Sequence, residues 1–406
     1  MQKMDFTGSD KNGSSTCELT VLMPCLNEAE TLPICIKKAK NFLSLHQVEG
    51  EVLIADNGST DGSPGIAADC GARVIHVEQK GYGSALYEGI KEAKGRFIIM
   101  GDADDSYDFT SLMPFLSALR DGNQLVMGNR FRGGIKPGSM PLLHRYLGNP
   151  VLSGIGRIFF NSTIGDFHCG LRGFDKNSIL QLNLQTKGME FASEMVVKAT
   201  INNLHITEVP TTLSPDGRNR PPHLNSWRDG WRHLRFLLLY SPRWLFLYPG
   251  LVLLIFGLLG ILWLTPGPVR LETVTFDIHS LLYSAVSLIL GVQLLSFSLF
   301  AKTYGTYSGY LQENDKLTMF MAAFTLERGL IVGFVLLSLG LISSVYAIYS
   351  WGSSSFGDLI PSSMMRLTIP ALTSITIGIQ IVFSTFLLSV FLIPSRHTSN
   401  TPENSS

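Results

Sequence analysis

Four long runs in the C-terminal part of the chain contain no acid and no base: Trp244–Leu264, Leu281–Ala301, Leu330–Ser350 and Thr368–Ile393. The first three are 21 residues long and the fourth is 26. At about 1.5 Å per residue, 21 residues reach about 31 Å, which matches the hydrocarbon core of a bilayer. A spanning segment must satisfy its own backbone polar groups, so each run is expected to be a transmembrane helix. The charge distribution agrees. The chain holds 32 Lys+Arg and 32 Asp+Glu, but only 6 and 7 of these lie beyond residue 243. A net charge of zero offers nucleic acid no attractive field. A hydrophobic content of 45% excludes a disordered chain.

The flanking charges set an orientation. Arg218–Arg243 carries six arginines and one acid, Asp229, directly before the first run. Lys302, Lys316 and Arg328 follow between the second and third runs, while the two opposite loops hold Arg270 and Arg366. The positive-inside rule then places residues 1–243 and the C-terminus in the cytoplasm, in a multi-pass membrane protein. Within the runs, Gln293 and Gln380 are explained by an interhelical hydrogen bond, and Gly257, Gly260, Gly291 and Gly340 allow close packing. The cysteines, Cys17, Cys25, Cys35, Cys70 and Cys169, are odd in number and form no CxxC pair. They read as buried, reduced thiols. The first seventeen residues have no apolar core of a signal peptide.

The charged part alternates strands and helices. Strands are expected at Leu19–Met23, Glu51–Ala55, Arg73–Val77, Arg96–Met100 and Leu125–Gly128. Helices are expected from Glu28 to about Leu45 and at Ser84–Lys94, Leu112–Leu119 and Glu190–Ile201. This rhythm predicts an α/β fold with a mostly parallel sheet, which binds ligands outside the carboxyl ends of its strands.

Polar clusters fall at those ends: Pro24-Cys25-Leu26-Asn27-Glu28, Asp56-Asn57-Gly58-Ser59-Thr60-Asp61-Gly62 and Asp102-Ala103-Asp104-Asp105. Any one of them is explained by turn chemistry. Three on one sheet edge point to a site. Asp102 and Asp104, flanking a small residue, suit one hard cation, Mg²⁺ or Mn²⁺, with substrate phosphates completing its shell. Asp105 and Asp108 add negative charge that a cation would offset. Lys80-Gly81-Tyr82-Gly83-Ser84 opens a helix, where glycines let the backbone approach a phosphate. Lys80 is therefore expected at a phosphate or nucleotide, with an ordinary loop as the alternative.

In this order, PCLNEAET, DNGSTDGS, KGYGSAL, GDADDSY and GNRF resemble the family 2 inverting glycosyltransferases of the GT-A type. More narrowly, they resemble the polyprenyl-phosphate (dolichol-phosphate) mannosyl/glucosyltransferases, over residues 18–243. The resemblance implies a Rossmann-like GT-A domain, a GDP- or UDP-linked sugar donor and a long isoprenoid phosphate acceptor. It implies nucleotide-sugar contacts at Pro24, Leu26, Asn27, Glu28, Asp56 and Ser59. Asp102, Ala103 and Asp104 would hold metal and diphosphate, and Arg130 would lie by the sugar-phosphate. Asp166-Phe167-His168-Cys169-Gly170-Leu171-Arg172 resembles the family's D-x-x-x-G-x-R element. Asp166 would lie near the acceptor and Arg172 at the nucleotide-sugar. Asp104 and Asp166 are the expected catalytic residues. A helix cap, or a partnership with Arg172, is the structural alternative for Asp166.

A lipid phosphate already carries nucleophilic oxygens, so Asp166 is expected to orient the acceptor more than to deprotonate it. Arg218 and Arg220 lie in the basic loop Ser214–His223. They are expected to close over the diphosphate, with attraction to anionic headgroups as the alternative. Trp227, Trp231, Leu234 and Leu238 recur at spacings of 4, 3 and 4 beside Arg228, Arg232 and Arg235, as in an interfacial amphipathic helix. Glu190 and Glu194 fit a solvated or salt-bridged helix face equally well. His144, His205 and His233 show no ligand spacing.

The resulting organisation is a disordered tail at 1–17, a GT-A domain at 18–222, the interfacial helix at 223–243, four spans within 244–393 and a cytoplasmic tail at 394–406. A processive polysaccharide synthase is the main alternative. Its Q-x-x-R-W element fails here, because Tyr240 stands where glutamine would precede Arg243-Trp244. A non-catalytic scaffold would be expected to lose the acidic triplet, which this chain keeps. No motif names the sugar, the nucleotide base, the isoprenoid length or the oligomeric state.

Overall fold

The computed structural model describes residues 17–218, 226–307, 325–353, 355–358 and 360–391. Residues 1–16, Arg220, Lys316 and the tail at 394–406 lie outside the described residues. The chain divides into two compact units, Met1–Leu237 and Leu238–Ser406.

In the first unit, β1 (Leu19–Cys25), β2 (Gly50–Asp56), β3 (Arg73–His76), β4 (Phe97–Met100), β5 (Leu125–Asn129), β6 (Arg172–Asp175) and β7 (Ile206–Pro210) form one sheet. Their order is β3-β2-β1-β4-β6-β5-β7. β1 and β4 read almost continuously apolar because both their faces are covered. The covering helices are α1 (Leu32–Leu45), α2 (Ser63–Asp69), α3 (Tyr82–Glu92), α4 (Met113–Arg120), the one-turn α5 (Arg130–Gly133), α6 (Asn149–Phe160), α7 (Lys176–Gln181) and α8 (Phe191–Ile201). In α1, Leu32, Cys35, Ile36, Ala39, Phe42 and Leu43 recur at helical spacing and are buried, and Pro33 fits the first turn.

β1, β2, β3 and β4 run parallel, as do β5 and β7. β6 pairs antiparallel with both β4 and β5, in the register Met100↔Arg172. This reversal positions the site. Six carboxyl ends and the amino end of β6 share one sheet edge, so the clusters that follow β1, β2 and β4 and the element that precedes β6 all reach it.

The expected strands and long helices are present with ends shifted by a few residues. The helix expected from Glu28 starts only at Leu32, because residues 28–31 form a turn. All five cysteines are free, but burial holds for only three of them. Cys25, Cys35 and Cys169 are enclosed, while Cys17 and Cys70 are half-buried.

α9 (Ser226–Leu239) carries exposed Trp227 and Trp231 and ends just inside the second unit. That unit contains a π-helical turn at Arg243–Leu247 leading into α10 (Tyr248–Leu264), a short hairpin of β8 (Val269–Leu271) and β9 (Val274–Phe276), then α11 (Ile278–Tyr307), α12 (Leu326–Ser353) and α13 (Pro361–Phe391). Among the described residues four helices, Arg243–Leu264, Ile278–Tyr307, Leu326–Ser353 and Pro361–Phe391, are long and apolar enough to cross a membrane. The end of the fourth expected run, from residue 392, lies outside the described residues.

These helices overrun the uncharged stretches. Lys302 and Arg328, expected in a loop, lie within α11 and α12. Arg366, also expected in a loop, lies within α13, where it donates to the Leu264 carbonyl and pairs with Asp277. The Gln380 amide donates to Gln293 Oε1 at 3.0 Å, the expected interhelical bond. Gly257 and Gly291 each lie where a Cβ would strike the neighbouring helix backbone, at Leu288 and Leu254.

Candidate active site

Three turns at the carboxyl edge are fastened to each other. After β1, the Asn27 amide donates to Ser59 Oγ at 2.8 Å, Asn27 Oδ1 accepts from the Thr60 amide at 2.7 Å, and the Glu28 amide donates to Ser63 Oγ at 2.9 Å. Asn27 takes a left-handed φ of 60°, which a short polar side chain tolerates. Thr31 Oγ1 donates to the Ala103 carbonyl at 2.7 Å, joining the first turn to the acidic triplet. Pro24 lies next to last in β1, paired with Ala55, Leu26 is exposed, and Glu28 and Ala103 are buried.

Asp56 is enclosed and accepts the Gly58 amide at 3.1 Å and the Ser59 amide at 3.2 Å. It therefore anchors its own turn. Lys80 donates to the Asn57 carbonyl at 2.8 Å. The glycines beside it serve a different purpose from the expected one. Gly83 and Ser84, at the start of α3, donate their amides to the Lys187 carbonyl at 2.9 and 3.3 Å. A Cβ on Gly81 or Gly83 would strike the backbone of Lys187 or Thr186. The glycines admit a loop of the chain, and that loop caps the helix end where a phosphate was expected.

The acidic triplet follows β4. Asp102 Oδ1 accepts from the buried Tyr82 hydroxyl at 3.0 Å. Burial, reinforced by the neighbouring Asp104 charge, pushes the Asp102 carboxyl up to about 6. Asp104 Oδ1 accepts from Ser106 Oγ at 2.6 Å, and its Oδ2 accepts from Arg218 Nη2 at 2.6 Å. Arg218 Nη1 also reaches Glu28 at 3.1 Å. The loop after β7 is held there by the Gly217 amide on the Asp104 carbonyl, at 2.9 Å. Asp105 pairs with Lys38 at 2.7 Å, and Asp108 accepts from Thr110 and Ser111, so neither joins the site.

A pair of hard oxygen donors with one carboxyl pushed toward neutrality fits a divalent cation. Among the described residues no three His, Cys, Asp or Glu side chains gather into a cage that would hold a metal alone. A cation here would rest on Asp102 and Asp104 and share its shell with a ligand.

On the other side of the triplet, Arg130 and Asp166 form a buried fork. Nε donates to Oδ2 at 2.7 Å, Nη2 to Oδ1 at 2.8 Å, and the Arg130 amide to Oδ2 at 3.1 Å. Asp166 is fully enclosed. Its partner is therefore Arg130 and not Arg172. Arg172, expected at the nucleotide-sugar, is also fully enclosed and donates to the carbonyls of Cys169, Ala192 and Phe167. It acts as an internal fastener. The Tyr107 hydroxyl accepts the Gly170 amide at 2.9 Å, and a Cβ on Gly170 would come within 2.5 Å of Asp102 Oδ2. The Asp166–Arg172 loop thus abuts the triplet directly.

Several contributors gave little sequence signal. Glu208, on β7, accepts the amides of Gly165 at 2.8 Å and Asp166 at 3.1 Å and so positions that loop. His168 has both ring nitrogens buried without a partner, and burial holds its imidazole well below the usual range. It packs edge to face on His233, 4.6 Å between centroids, and His233 Nδ1 lies 2.9 Å from Ser193 Oγ. Glu194 is not a solvated face. It is buried, accepts the Thr186 amide at 2.8 Å and pairs with Lys198 at 2.9 Å.

Comparison with known proteins decides the family. The glycosyl transferase family 2 model matches residues 20–182, and the model of the glycosyltransferase family 2 C-terminal transmembrane region matches residues 299–392. The low-salt glycan biosynthesis hexosyltransferase Agl6 of Haloferax volcanii is 38% identical over 371 residues, 91% of this chain and 88% of that protein. The chain belongs to glycosyltransferase family 2. A second relative of this glycosyltransferase, the dolichyl-phosphate hexose transferase of the same organism, is 28% identical over 193 residues, 48% of this chain and 81% of the relative. Among solved structures, glucosyl-3-phosphoglycerate synthase from Mycobacterium tuberculosis in complex with Mn²⁺, UDP and phosphoglyceric acid aligns with a TM-score of 0.42 at 19% identity, over 55% of this chain and 76% of that one.

Proposed function

We propose that this family 2 glycosyltransferase moves one hexose from a GDP- or UDP-linked donor to a polyprenyl or dolichyl phosphate at the cytoplasmic membrane face, with inversion at the anomeric carbon. One observation carries the proposal. The carboxylate pair Asp102 and Asp104, with Arg218 resting on Asp104 alone of the two, abuts the loop that holds the buried Arg130–Asp166 fork, in a chain that also bears four membrane-length helices among its described residues. The likeness to a dolichyl-phosphate hexose transferase supports a lipid acceptor, and the basic flanks of the spans support a cytoplasmic site.

In this proposal an acceptor phosphate oxygen attacks the anomeric carbon, and the bond from that carbon to the nucleoside diphosphate breaks, its electron pair leaving with the diphosphate. Mg²⁺ or Mn²⁺ held by Asp102 and Asp104 would neutralise the departing charge as a Lewis acid. Glu28, Leu26 and the Asp56–Ser59 turn shape the nucleotide end. Asp166 fixes the plane of the Arg130 guanidinium, leaving the rest of its fork to meet a phosphate. Arg218 must release Asp104 before a cation binds there, and is then free to reach the diphosphate. Asp166, being enclosed, acts through Arg130.

The test uses protein purified in detergent, Mn²⁺ or Mg²⁺, a polyprenyl phosphate and a panel of radiolabelled UDP- and GDP-sugars, with Asp104→Ala alongside. Label is expected in the organic-soluble lipid only with metal and only in the parent protein. Nucleotide release or polymer without lipid product would refute the acceptor assignment.

A further inference from the structure

Where α10 begins and α11 ends, two cations are held side by side. A Cβ on Gly250 would meet Leu294 and Leu295 at 3.1 and 3.3 Å, and one turn earlier Phe246 packs on Phe297, 6.1 Å between ring centroids. Arg243, Phe246 and Gly250 recur at spacings of 3 and 4, so the same antiparallel seam brings Arg243 toward Lys302. Their charges are near enough to oppose each other. Among the described residues neither has an ion-pair partner, although Lys302 is half-buried. Thr306, one turn further along α11, keeps its Oγ1 buried without a hydrogen-bond partner. Lone cations at a helix end reach water by their stems. Two cations fixed by a packed seam, beside an orphaned hydroxyl, fit a shared anion.

A groove beside them indicates the rest of the ligand. α11 and α13 enclose about 140 Å³, with Val292, Leu295, Leu299, Ile381 and Leu388 in its wall. Of the three hydroxyls in the lining, Ser296 and Thr385 bond carbonyls of their own helices, at Val292 (3.0 Å) and Ile381 (2.7 Å), so the wall is largely apolar. Val292, Leu295, Leu299, Lys302 and Thr306 recur at spacings of 3, 4, 3 and 4, a single helical stripe that carries the groove wall into the cation pair. At the deep end the Gln380–Gln293 bond crosses between the same two helices. From Val292 to Phe300 the lining rises about 12 Å along α11. That depth falls within one leaflet of a hydrocarbon core of about 30 Å.

We propose that the second unit holds an anionic phospholipid of the bilayer, its phosphate between Arg243 and Lys302 and one acyl chain in the groove between α11 and α13. Phosphate oxygens accept from a guanidinium and an ammonium together. The two cations flank the ends of uncharged runs, Trp244 at the start of one and Ala301 at the end of the other, which is headgroup depth. A long isoprenoid chain would outrun the groove at the glutamine crossing, and a free phosphate would leave the groove empty. The bound lipid ties α10, α11 and α13 together at one membrane face. The site lies wholly within the second unit, so the inference stands whether or not a lipid phosphate is the acceptor.

The full chain in detergent is titrated with phosphatidylglycerol, phosphatidylcholine or a polyprenyl phosphate, and adducts are counted by native mass spectrometry. The parent is expected to retain one phosphatidylglycerol about tenfold more tightly than phosphatidylcholine. Phosphatidylglycerol should also raise its Tm, because a ligand held only by the folded state stabilises it. Arg243→Gln with Lys302→Gln is expected to abolish the preference and the shift, and Lys302→Arg to keep both. Leu299→Trp, which fills the groove and keeps the charges, is expected to weaken the adduct, and Arg270→Gln at the other membrane face to leave it unchanged. Tm in lipid-free detergent separates lost binding from lost folding in each variant. Equal retention of the two phospholipids by the parent would overturn the inference, as would an adduct indifferent to loss of both cations. Preferential retention of the polyprenyl phosphate would overturn it too, by assigning the groove to an isoprenoid.

Discussion

Arg218 donates to Asp104 across 2.6 Å, and its other terminal nitrogen reaches Glu28 at 3.1 Å. A guanidinium thus rests on one of the two carboxylates that suit a divalent cation, and the two cations compete for the same oxygen. Arg218→Ala is expected to tighten Mn²⁺ binding in the absence of nucleotide by about tenfold, roughly 1.4 kcal/mol. Titration calorimetry or Mn²⁺ EPR measures this. Unchanged affinity would mean the arginine does not occupy the cation's place. Transfer should fall in the same variant if Arg218 then meets the diphosphate.

Asp102 carries a penalty. Its carboxyl is raised from an ordinary 3.8 to about 6 in the folded protein. The folded state therefore binds this proton more tightly than the unfolded state, and stability falls as pH rises between those values. Above pH 6 the full penalty is present in metal-free protein. Asp102→Asn should raise Tm there, by ~2–4 °C for each kcal/mol recovered, and not at pH 4. It should also abolish transfer. Scanning calorimetry at both pH values distinguishes the two regimes.

The Arg130–Asp166 fork is buried, so removing one partner strands the other. Asp166→Asn is expected to cost about 3–5 kcal/mol of stability. Arg130→Lys keeps the charge but not the two-point geometry, and should reduce transfer far more than it reduces donor binding. Denaturant unfolding checks the first expectation, and a comparison of kcat with donor Kd checks the second.

His168 stays neutral in the fold, since burial, with His233 and Arg130 nearby, lowers its pKa. In the unfolded chain it titrates near about 6.5. Below that pH the unfolded state takes a proton that the folded state refuses, so stability drops on acidification by about 1.4 kcal/mol per pH unit. His168→Phe keeps a ring against His233 and should flatten the fall of Tm below pH 6.5. An unchanged profile would remove His168 as its source.

The sheet edge was legible because parallel strands read as apolar runs and their ends carry Asn27, Asp56 and Asp102. The spans were legible because lipid admits no charge in their middles, although Lys302, Arg328 and Arg366 show that helices continue past the uncharged runs. β6 was not legible. Arg-Gly-Phe-Asp has neither alternation nor length, and its reversed direction depends on the pairing Met100↔Arg172. Arg172 itself looked like a ligand-binding arginine, since sequence cannot reveal that three backbone carbonyls surround it. Gly81 and Gly83 permit close approach of something. Only the fold shows that it is the Thr186–Lys187 backbone. Glu208 lies in an ordinary strand, and its role as acceptor for the Asp166 loop arises across 42 residues of sequence.

The most direct measurement is the structure of the product after a single turnover. With an α-linked nucleotide sugar and excess polyprenyl phosphate, mass spectrometry should find one hexose per lipid phosphate. NMR should find the β configuration at its anomeric carbon, with no product from Asp104→Asn. A retained α configuration, a sugar chain longer than one unit, or donor hydrolysis without a glycolipid would contradict single inverting transfer to a lipid phosphate.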